Sequence, residues 1–331
     1  VNDALSYDRD AIGIGRKGTI DRPYILKAPF WTVDTLFYAI PREKVDLNYA
    51  FDIFQNIDWK KKDESTGVPS LSKTAINDID VLAPKHDEQQ IIGQFFAAID
   101  NLITLHQRKC DETKQLKKFM LQKMFPKNGE KNPEIRFEGF TDDWEQRKLD
   151  TVAKFSKGSG YSKGDLIETG TPIILYGRLY TKYETSISDV DTYVEAKEGS
   201  VYSKGGEVIV PASGETAEDI ARAATVDKSG ILLGGDLNVV MPNEDINSAF
   251  LAISISNGNS QRELAKKAQG KSVVHIHNEE IRNLIVPFPI KAEQNRIVDY
   301  FSTLDHLITL HQRKCEKLKA LKKFMLQNMF I

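Results

Sequence analysis

Two pairs of histidine and cysteine are the residues of this chain whose types and spacing best suit metal chemistry. His106 precedes Cys110 by four positions, and His311 precedes Cys315 by four positions. Two histidines and two cysteines could form a tetrahedral zinc site. The usual Cys-x-x-Cys spacing of such sites is absent, however, and small or polar residues at these positions could instead fix the register of paired helices. We expect the second role, without a bound metal.

A second group combines basic, tyrosine and glutamine residues in segments rich in Gly and Ser, a composition suited to nucleic-acid contact. Lysine and arginine can hold phosphates, and arginine can also read guanine through two hydrogen bonds. The alternative is ordinary solvated loops, but the basic loops 59–67 and 266–272 lie at matching positions ahead of an apolar segment, which favours phosphate contact. The candidates are Arg16, Lys17, Lys60, Lys61, Lys62, Lys157, Tyr161, Lys163, Tyr176, Arg178, Tyr180, Lys182, Lys266, Lys267, Gln269 and Lys271.

Catalytic patterns are absent from the sequence. It contains no Asp/Asn-Pro-Pro-Tyr/Phe run of an adenine methyltransferase, no Walker loop and no clear carboxylate cluster of a nuclease. The stretch GIGRKG at Gly13–Gly18 has the G-x-G-x-x-G spacing but lacks the following βαβ unit of a dinucleotide site, so the resemblance to such a loop is superficial. His275 and His277 alternate on a predicted strand, where one of them could face DNA, although ordinary surface histidines are the simpler interpretation. We therefore expect this chain to have no catalytic activity of its own.

The elements that must position these residues are repeated along the chain. LITLHQRKC stands at Leu102–Cys110 and again 205 positions later at Leu307–Cys315. The match extends over Pro84–Phe125 and Pro289–Phe330, where 25 of 42 residues are identical. A period this long indicates a duplicated domain rather than a solenoid.

The repeated stretch is predicted to be a long helix. Neither Gly nor Pro occurs between Gln94 and Phe125, and the apolar residues recur at alternating spacings of three and four, as in a coiled coil. A helix of about 38 residues would be about 57 Å long at 1.5 Å per residue. Such a helix needs a partner, and we expect the two copies to pack antiparallel with His106 beside His311. The predicted seam consists of Ile99, Ile103, His106, Cys110, Leu304, Ile308, His311 and Cys315.

The remaining segments predict α+β domains, because short β-like runs such as TPIILYGRLYT and GGEVIVPASG alternate with turn signals and precede a helical stretch interrupted near Gly258. The stretches AIGIGRKG and FWTVDTLFYAIP of the first domain parallel EVIVPASG and LLGGDLNVVMP of the second. Nothing in the first copy matches residues 136–196. We therefore expect the front of the first domain to be missing, through truncation, an alternative start or partial coverage. The expected divisions are 1–85 (first domain, partial), 86–127 (first helix), 128–143 (linker), 144–288 (second domain) and 289–331 (second helix).

The composition is that of a globular protein without a membrane span. Of 331 residues, 40% are hydrophobic and 28% charged, and the net charge is −2, so any affinity for nucleic acid must come from local charge. The first residues are polar and acidic, unlike a signal peptide. We expect a cytoplasmic protein in which Cys110 and Cys315 remain free thiols.

The repeat resembles the specificity (S) subunit of type I restriction–modification enzymes. The resemblance covers essentially the whole chain and is carried by EQQIIGQFFAAIDNLITLHQRK, its copy EQNRIVDYFSTLDHLITLHQRK and the domain start FEGFTDDWEQRKL. It implies that each variable domain reads one half of a split double-stranded DNA target. It also implies that the helices set the spacing and hold two methyltransferase (M) subunits, with restriction (R) motor-nuclease subunits added for cleavage. S-adenosylmethionine would then belong to the M subunits, and ATP and Mg to the R subunits.

A scaffold without DNA reading is the alternative hypothesis. In that case the paired helices would join two copies of some other protein. The basic segments in the divergent domains favour DNA recognition, whereas the net charge of −2 permits a scaffold. Salt-dependent binding to duplex DNA would distinguish the two.

Overall fold

The computed structural model describes Ser6, residues 8–270 and residues 272–330. They divide into two compact units, which we call unit 1 (residues up to 112 and from 307 onward) and unit 2 (residues 113–306). Each unit includes part of both long helices, and each is described by itself below. Within the described residues, no helix has both the length and the apolar character needed to cross a membrane.

Unit 1 is built on a small antiparallel sheet followed by helices. The apolar residues of AIGIG form the central strand β1 (Ala11–Gly15) of a three-stranded sheet, with β2 (Tyr24–Leu26) on one side and β3 (Leu36–Ala39) on the other. Trp59 lies in a 3-10 turn at Trp59–Lys62 and packs with Ile14, Ile20 and Leu71 in the core. The elements that begin in this unit are β1 (Ala11–Gly15), β2 (Tyr24–Leu26), β3 (Leu36–Ala39), α1 (Leu47–Asn56), α2 (Lys73–Asn77) and α3 (His86–Lys123).

Unit 2 is a larger α+β domain. The elements that begin in it are β4 (Glu145–Lys148), β5 (Ala153–Lys157), β6 (Leu166–Ile167), β7 (Thr171–Ile174), α4 (Arg178–Thr181), β8 (Ser186–Ile187), β9 (Tyr193–Val194), β10 (Tyr202–Lys204), β11 (Glu207–Pro211), β12 (Ser213–Gly214), α5 (Ala217–Ile220), β13 (Ala224–Val226), β14 (Ser229–Leu233), β15 (Leu237–Pro242), α6 (Ser248–Ile255), α7 (Gly258–Lys266), β16 (Val274–His275), α8 (Asn278–Arg282), β17 (Ile285–Phe288) and α9 (Lys291–Met329). Its strands form two five-stranded sheets, ordered β10-β14-β7-β9-β6 and β5-β15-β11-β13-β8, and two strand pairs, β12-β16 and β17-β4.

The predicted secondary structure is confirmed in its main features. Both repeated stretches are long helices of 38 and 39 residues, and the break near Gly258 separates α6 from α7. Gly258 has φ +65°, a left-handed conformation that glycine adopts without strain. One part of the expected pattern is wrong: the end of TPIILYGRLYT forms the helical turn α4 instead of continuing strand β7.

The first domain repeats the centre of the second, as the sequence alignment predicted. In unit 1, β1 pairs antiparallel with β3 on one side and β2 on the other. In unit 2, β11 likewise pairs antiparallel with β15 and β13. The helices that follow, α1 in unit 1 and α6 in unit 2, are capped in the same way. The Asp46 side chain accepts from the N–H of Tyr49, and the Asn247 side chain accepts from the N–H of Phe250.

An equivalent glutamine fixes the start of each long helix to its domain. In unit 1, Gln89 accepts a hydrogen bond from the Asp46 N–H at 3.1 Å and donates to the Pro84 carbonyl at 2.9 Å. In unit 2, Gln294 accepts from the Asn247 N–H at 2.8 Å and donates to the Pro289 carbonyl at 2.9 Å. Both glutamines are buried, so replacing either would leave backbone groups unpaired.

The antiparallel helix pairing is confirmed within unit 1. The Nδ1 atoms of His106 and His311 lie 3.0 Å apart, which requires one ring to donate and the other to accept. The Cys110 Sγ lies 3.9 Å from the Ile308 carbonyl, and the repeat-equivalent Cys315 Sγ lies 3.8 Å from that of Ile103. The thiols thus meet backbone carbonyls of the opposite helix. Among the described residues, no group of three or more His, Cys, Asp and Glu side chains converges as metal ligands would.

Charged and polar groups also lie along this seam, and its lysine–aspartate pairs recur with the repeat. Burial, aided by His106 and the nearby lysines, holds the pKa of His311 below its ordinary value. Lys322 in unit 1 bonds Asp100 at 2.6 Å, and in unit 2 the equivalent Lys117 bonds Asp305 at 2.5 Å. Leu304, the seam residue in unit 2, is buried in that unit's main core. The seam therefore combines apolar packing with polar pairs that specify register.

A buried carboxyl group makes the stability of unit 1 depend on pH. Burial raises the pKa of Asp52 from 3.8 to about 8, and its Oδ2 has no hydrogen-bond partner among the described residues. Between about pH 4 and about pH 8 the folded state therefore keeps Asp52 protonated, whereas the unfolded state has lost this proton. The free energy of unfolding consequently falls as pH rises from about 4 to about 8.

Asp52→Asn is accordingly expected to raise the free energy of unfolding by about 1–3 kcal/mol at pH 8 and to change it little at pH 4. Urea unfolding at both pH values measures this. Asp34→Asn, at an exposed carboxylate, serves as the control. A pH dependence that survives in Asp52→Asn would contradict the assignment.

Candidate nucleic-acid interface

In each unit, the chain just after the central strand pairs with a segment farther along the sequence, and the two segments are repeat equivalents of each other. In unit 1, Lys17 pairs with Ser70, and the Glu64 N–H donates to the Ser70 carbonyl at 3.3 Å. In unit 2, Ser213 pairs with His275, and the Gln269 N–H donates to the His275 carbonyl at 3.1 Å. Ser70 and Glu64 are the repeat equivalents of His275 and Gln269, 205 positions earlier. The same backbone frame therefore presents different side chains in the two units.

The predicted basic residues of unit 1 lie on or next to the segments that form this frame. Arg16 and Lys17 follow β1, and the Arg16 carbonyl accepts from the Leu71 N–H at 3.0 Å. The Asp63 carboxylate accepts from the Ser70 N–H at 2.9 Å, which draws the preceding turn toward the same place. We call Arg16, Lys17, Lys60, Lys61 and Lys62 the basic cluster of unit 1.

The buried Trp59 anchors the lysines of the basic cluster at the surface. Its indole N–H donates to the Phe54 carbonyl at 2.7 Å. Lys60 pairs with Asp21 at 3.0 Å and Lys61 with Asp58 at 3.3 Å, and the hydrogen bond from Lys60 lowers the pKa of Asp21. These exposed pairs are weak, so both lysines remain free to exchange a carboxylate for a phosphate.

An aromatic cluster occupies the equivalent place in unit 2. The rings of Tyr176 and Tyr180 lie 6.2 Å apart, and the Tyr180 hydroxyl donates to the Ser213 carbonyl at 2.8 Å. The Ser213 hydroxyl lies 3.1 Å from His275 Nδ1. Burial raises the pKa of Tyr180, so its phenol stays a neutral donor. With the exposed Gln269, these residues offer donors, acceptors and ring faces suited to base edges.

Ser213 was not among the residues predicted to contact nucleic acid, and for His275 the sequence favoured an ordinary surface histidine over one that faces DNA. A signal for them was present, because the alignment of AIGIGRKG with EVIVPASG places Ser213 opposite Lys17. His277 follows on the same segment, and its ring lies parallel to that of His275 at 6.4 Å. Because His275 and His277 are exposed at the strand end, they are candidates for contact with nucleic acid as good as Gln269.

Two of the predicted residues lie in the interior of unit 2. Arg178 is 8% exposed, and its guanidinium donates to Asp191 at 2.7 Å and to Glu184 at 2.8 Å. The Tyr161 side chain is buried, with its hydroxyl 2.5 Å from the Ser200 Oγ. Neither side chain could reach DNA without giving up these partners, which makes both of them supports of the domain in this structure.

The other predicted lysines of unit 2 lie outside the aromatic cluster. Lys157 and Lys163 are exposed, whereas Lys182 pairs with Asp191 at 2.9 Å and, with Arg178, lowers the pKa of Asp191 to about 2. Lys266 and Lys267 close α7 directly ahead of Gln269, with Lys266 paired to Glu263 at 2.7 Å. The predicted Lys271 lies outside the described residues.

The comparisons with known proteins agree with this repeated architecture. The model of the family described as the type I restriction modification DNA specificity domain matches residues 2–115 and 141–320. The type I restriction enzyme MjaVIII specificity subunit of Methanocaldococcus jannaschii is 23% identical over 279 residues. That alignment covers 80% of this chain but only 65% of the relative's length.

Two solved structures share the fold at low sequence identity. The S subunit of a type I restriction–modification system from M. genitalium has a TM-score of 0.68 at 11% identity, over 100% of this chain and 85% of that chain. A structure reported under the description of complex assembly and conformational transition of the type I R-M system has a TM-score of 0.53 at 14% identity. The match covers 97% of this chain and 81% of that chain. Because the family model covers most of the chain in two separate stretches, this protein belongs to the type I restriction modification DNA specificity domain family.

Proposed function

We propose that this chain is the DNA-recognition subunit of a type I restriction–modification complex, in which each variable domain reads one half of a bipartite target. The observation that carries the proposal is the shared backbone frame at the strand ends. Lys17 with Ser70 and Ser213 with His275 form the same pairing in two domains, yet the side chains differ in charge and shape. A duplicated reader of two different half-sites would combine these two properties.

The proposed contacts divide into phosphate binding and base reading. The lysines of the basic cluster, and Lys266 and Lys267 as the repeat equivalents of Lys61 and Lys62, would hold phosphates, which position a protein without specifying sequence. The polar tips of Tyr176, Gln269 and His275 would face base edges in unit 2. In unit 1, Arg16 would contact base edges. Its exposed guanidinium lies 5.7 Å from the centre of the Phe37 ring and can pair with guanine.

Catalysis would come from partner proteins. We propose that the long helices hold two methyltransferase (M) subunits and that restriction (R) subunits join for cleavage. S-adenosylmethionine would then be bound by the M subunits, and ATP and Mg by the R subunits. The chain itself would neither methylate nor cut DNA.

A scaffold without DNA reading is favoured by one specific observation. Several lysines of the predicted interface already have carboxylate partners, including Lys60, Lys61 and Lys266. In a scaffold these pairs would persist and the helices alone would bind partners. Affinity for duplex DNA that falls with salt separates the two functions, because only phosphate binding releases counterions.

Replacing Lys266, Lys267 and Lys271 by alanine tests the proposed phosphate binding. Affinity for all duplex sequences should fall alike, and the slope of log K against log salt should flatten by about 0.9 for each phosphate that is no longer neutralised. Fluorescence anisotropy with target and unrelated duplexes, on the complex with the M subunit, measures both quantities. Lys204→Ala, at an exposed lysine on β10, is the control. An unchanged slope in the triple variant would remove this loop from the interface.

A further inference from the structure

Unit 2 contains a cavity of about 260 Å³ beside the last turns of α3. Its charged wall residues are Lys117 and Arg222, and no carboxylate is found among the described residues that line it. Another part of the wall is apolar and is formed by Leu121, Ile253 and Phe301. The cavity therefore combines two cations with an apolar surface, as sites for small organic anions do.

The lysine of this cavity has a repeat equivalent in unit 1 whose donors are in use. There the Lys322 ammonium bonds the Asp100 carboxylate and the amide oxygen of Gln55, each at 2.6 Å. Lys322 is 8% exposed, so the two partners hold it in the interior. In unit 1, protein side chains thus satisfy the buried ammonium group.

In unit 2 one of these two partners is missing. Ser256 is the equivalent of Gln55, nine positions after the cap residue of the helix in each unit. Its hydroxyl accepts from the Ala223 N–H at 2.8 Å, so it is committed to the backbone. Asp305 is accordingly the one partner of Lys117 among the described residues. Since an ammonium group has three donors, Lys117 can still donate to a ligand.

Arg222 and Gln261 bring further donors to the same cavity. The Arg222 guanidinium donates to the Leu179 carbonyl at 3.0 Å and lies 5.2 Å from the centre of the Tyr183 ring. Its ion pair with Asp219 is long, at 3.6 Å. The side-chain amide of Gln261 is partly buried, yet it forms no hydrogen bond within the part of the chain that the structure describes. The wall therefore has more donors than the protein itself uses.

The charges and the shape of the cavity favour a carboxylate with an apolar body over a phosphate. Asp305 and Asp219 already balance Lys117 and Arg222 from outside the wall, which leaves little net charge to hold a multiply charged anion. A guanidinium matches the two oxygens of a carboxylate. The apolar wall suits a ring or a short aliphatic chain, and the volume admits only a small molecule.

We propose that this cavity is a binding site for a small organic carboxylate. Arg222, Lys117 and Gln261 would donate to the carboxylate oxygens, and the apolar body would pack against Leu121 and its apolar neighbours in the wall. The Arg222 guanidinium also lies 6.0 Å from the centre of the Tyr180 ring, so the site adjoins the aromatic cluster of unit 2. The proposal does not depend on DNA recognition, because the donors are present whether or not the chain reads DNA.

Benzoate is the probe for this site, titrated into the full chain. Isothermal titration calorimetry and saturation-transfer NMR should show saturable binding with a dissociation constant of about 1 mM, as expected of so small a ligand. Benzyl alcohol, which has the same ring without the charge, should bind at least about tenfold more weakly, because hydrogen bonds to a charged group are lost. Inorganic phosphate should also bind more weakly than benzoate.

Two substitutions locate the binding. Gln261→Leu should weaken benzoate about fivefold by removing one neutral hydrogen bond, and it should keep the fold because that amide has no partner in the described chain. Arg222→Met should weaken benzoate at least about twentyfold, since a charged donor is lost, with circular dichroism confirming the fold. Arg262→Met, at the exposed neighbour of Gln261 on α7, is the matched control and should leave binding unchanged.

Three results would overturn the proposal. Benzoate could show no saturable binding at concentrations well above the expected dissociation constant. Benzyl alcohol or phosphate could bind as tightly as benzoate, which would exclude a carboxylate as the class of ligand. Finally, benzoate could bind Gln261→Leu as tightly as the parent protein, which would place it elsewhere on the chain; this variant decides the matter even if Arg222→Met fails to fold.

Discussion

Exchanging Trp144–Pro287 for the matching domain of a relative should change one half of the methylated DNA motif and leave the other half intact. The reason is that unit 2 holds its proposed reading residues, Tyr176, Gln269 and His275, entirely within the exchanged range. The donor domain must supply tryptophan at its first position, because Trp144 packs against Phe125 and Phe250 in the core. Sequencing of methylated genomic DNA from cells carrying the chimera and the M partner measures the motif.

Exchange of residues 1–85 is the matched control for this experiment. It should alter only the other half of the motif, because the basic cluster of unit 1 lies in that range. If either exchange altered both halves, or neither, the modular interpretation would be wrong. The scaffold function would then become the better explanation of the repeat.

Glu293→Gln should lower the free energy of unfolding by about 3–5 kcal/mol, because it leaves a buried guanidinium without its charge partner. Glu293 is 1% exposed and Arg136 14% exposed at their side chains, and both guanidinium bonds are 2.7 Å. The same hydrogen bonds raise the pKa of Arg136 in the parent protein. In the variant the guanidinium also stays protonated, because arginine does not deprotonate in proteins. Urea unfolding followed by circular dichroism measures the change.

The repeat itself supplies the control for this substitution. Glu88→Gln changes the equivalent residue in unit 1, which is exposed, and it should shift stability by no more than about 0.5 kcal/mol. Arg136→Met combined with Glu293→Gln should be less destabilising than the sum of the single changes, because the pair is coupled. If Glu88→Gln and Glu293→Gln changed the free energy of unfolding equally, the buried pair of Arg136 and Glu293 would contribute no more to stability than an exposed glutamate does.

The internal repeat allowed the sequence to predict more than periodicity alone. Identity at 25 of 42 positions identified two equivalent helices, and the seam pattern placed His106 beside His311. Both inferences depend on local helix geometry, because residues three and four apart share a face. Equivalence between the domains followed from the same alignment and is confirmed by the matching strand pairs β1–β3 and β11–β15.

The candidate site depended on contacts that no local pattern contains. Residue type and spacing made Arg178 and Tyr161 as good candidates as Lys266, yet tertiary packing buries the first two and leaves Lys266 at the surface. Ser213 meets His275 across 62 positions only because β12 and β16 pair. The charge state and reach of a side chain are set by the groups that surround it after folding.

By itself, the sequence determined the class of protein, the two long helices, their antiparallel seam and the duplicated domain, because each is encoded by identity or by a period along the chain. Only the tertiary structure decided which basic and aromatic residues gather at the strand ends, how Gln89 and Gln294 fix the helices to their domains, and that Glu88 is exposed while its equivalent Glu293 is buried. Those outcomes depend on the path that brings distant residues together, and the same side chain is buried in one copy of the repeat and exposed in the other.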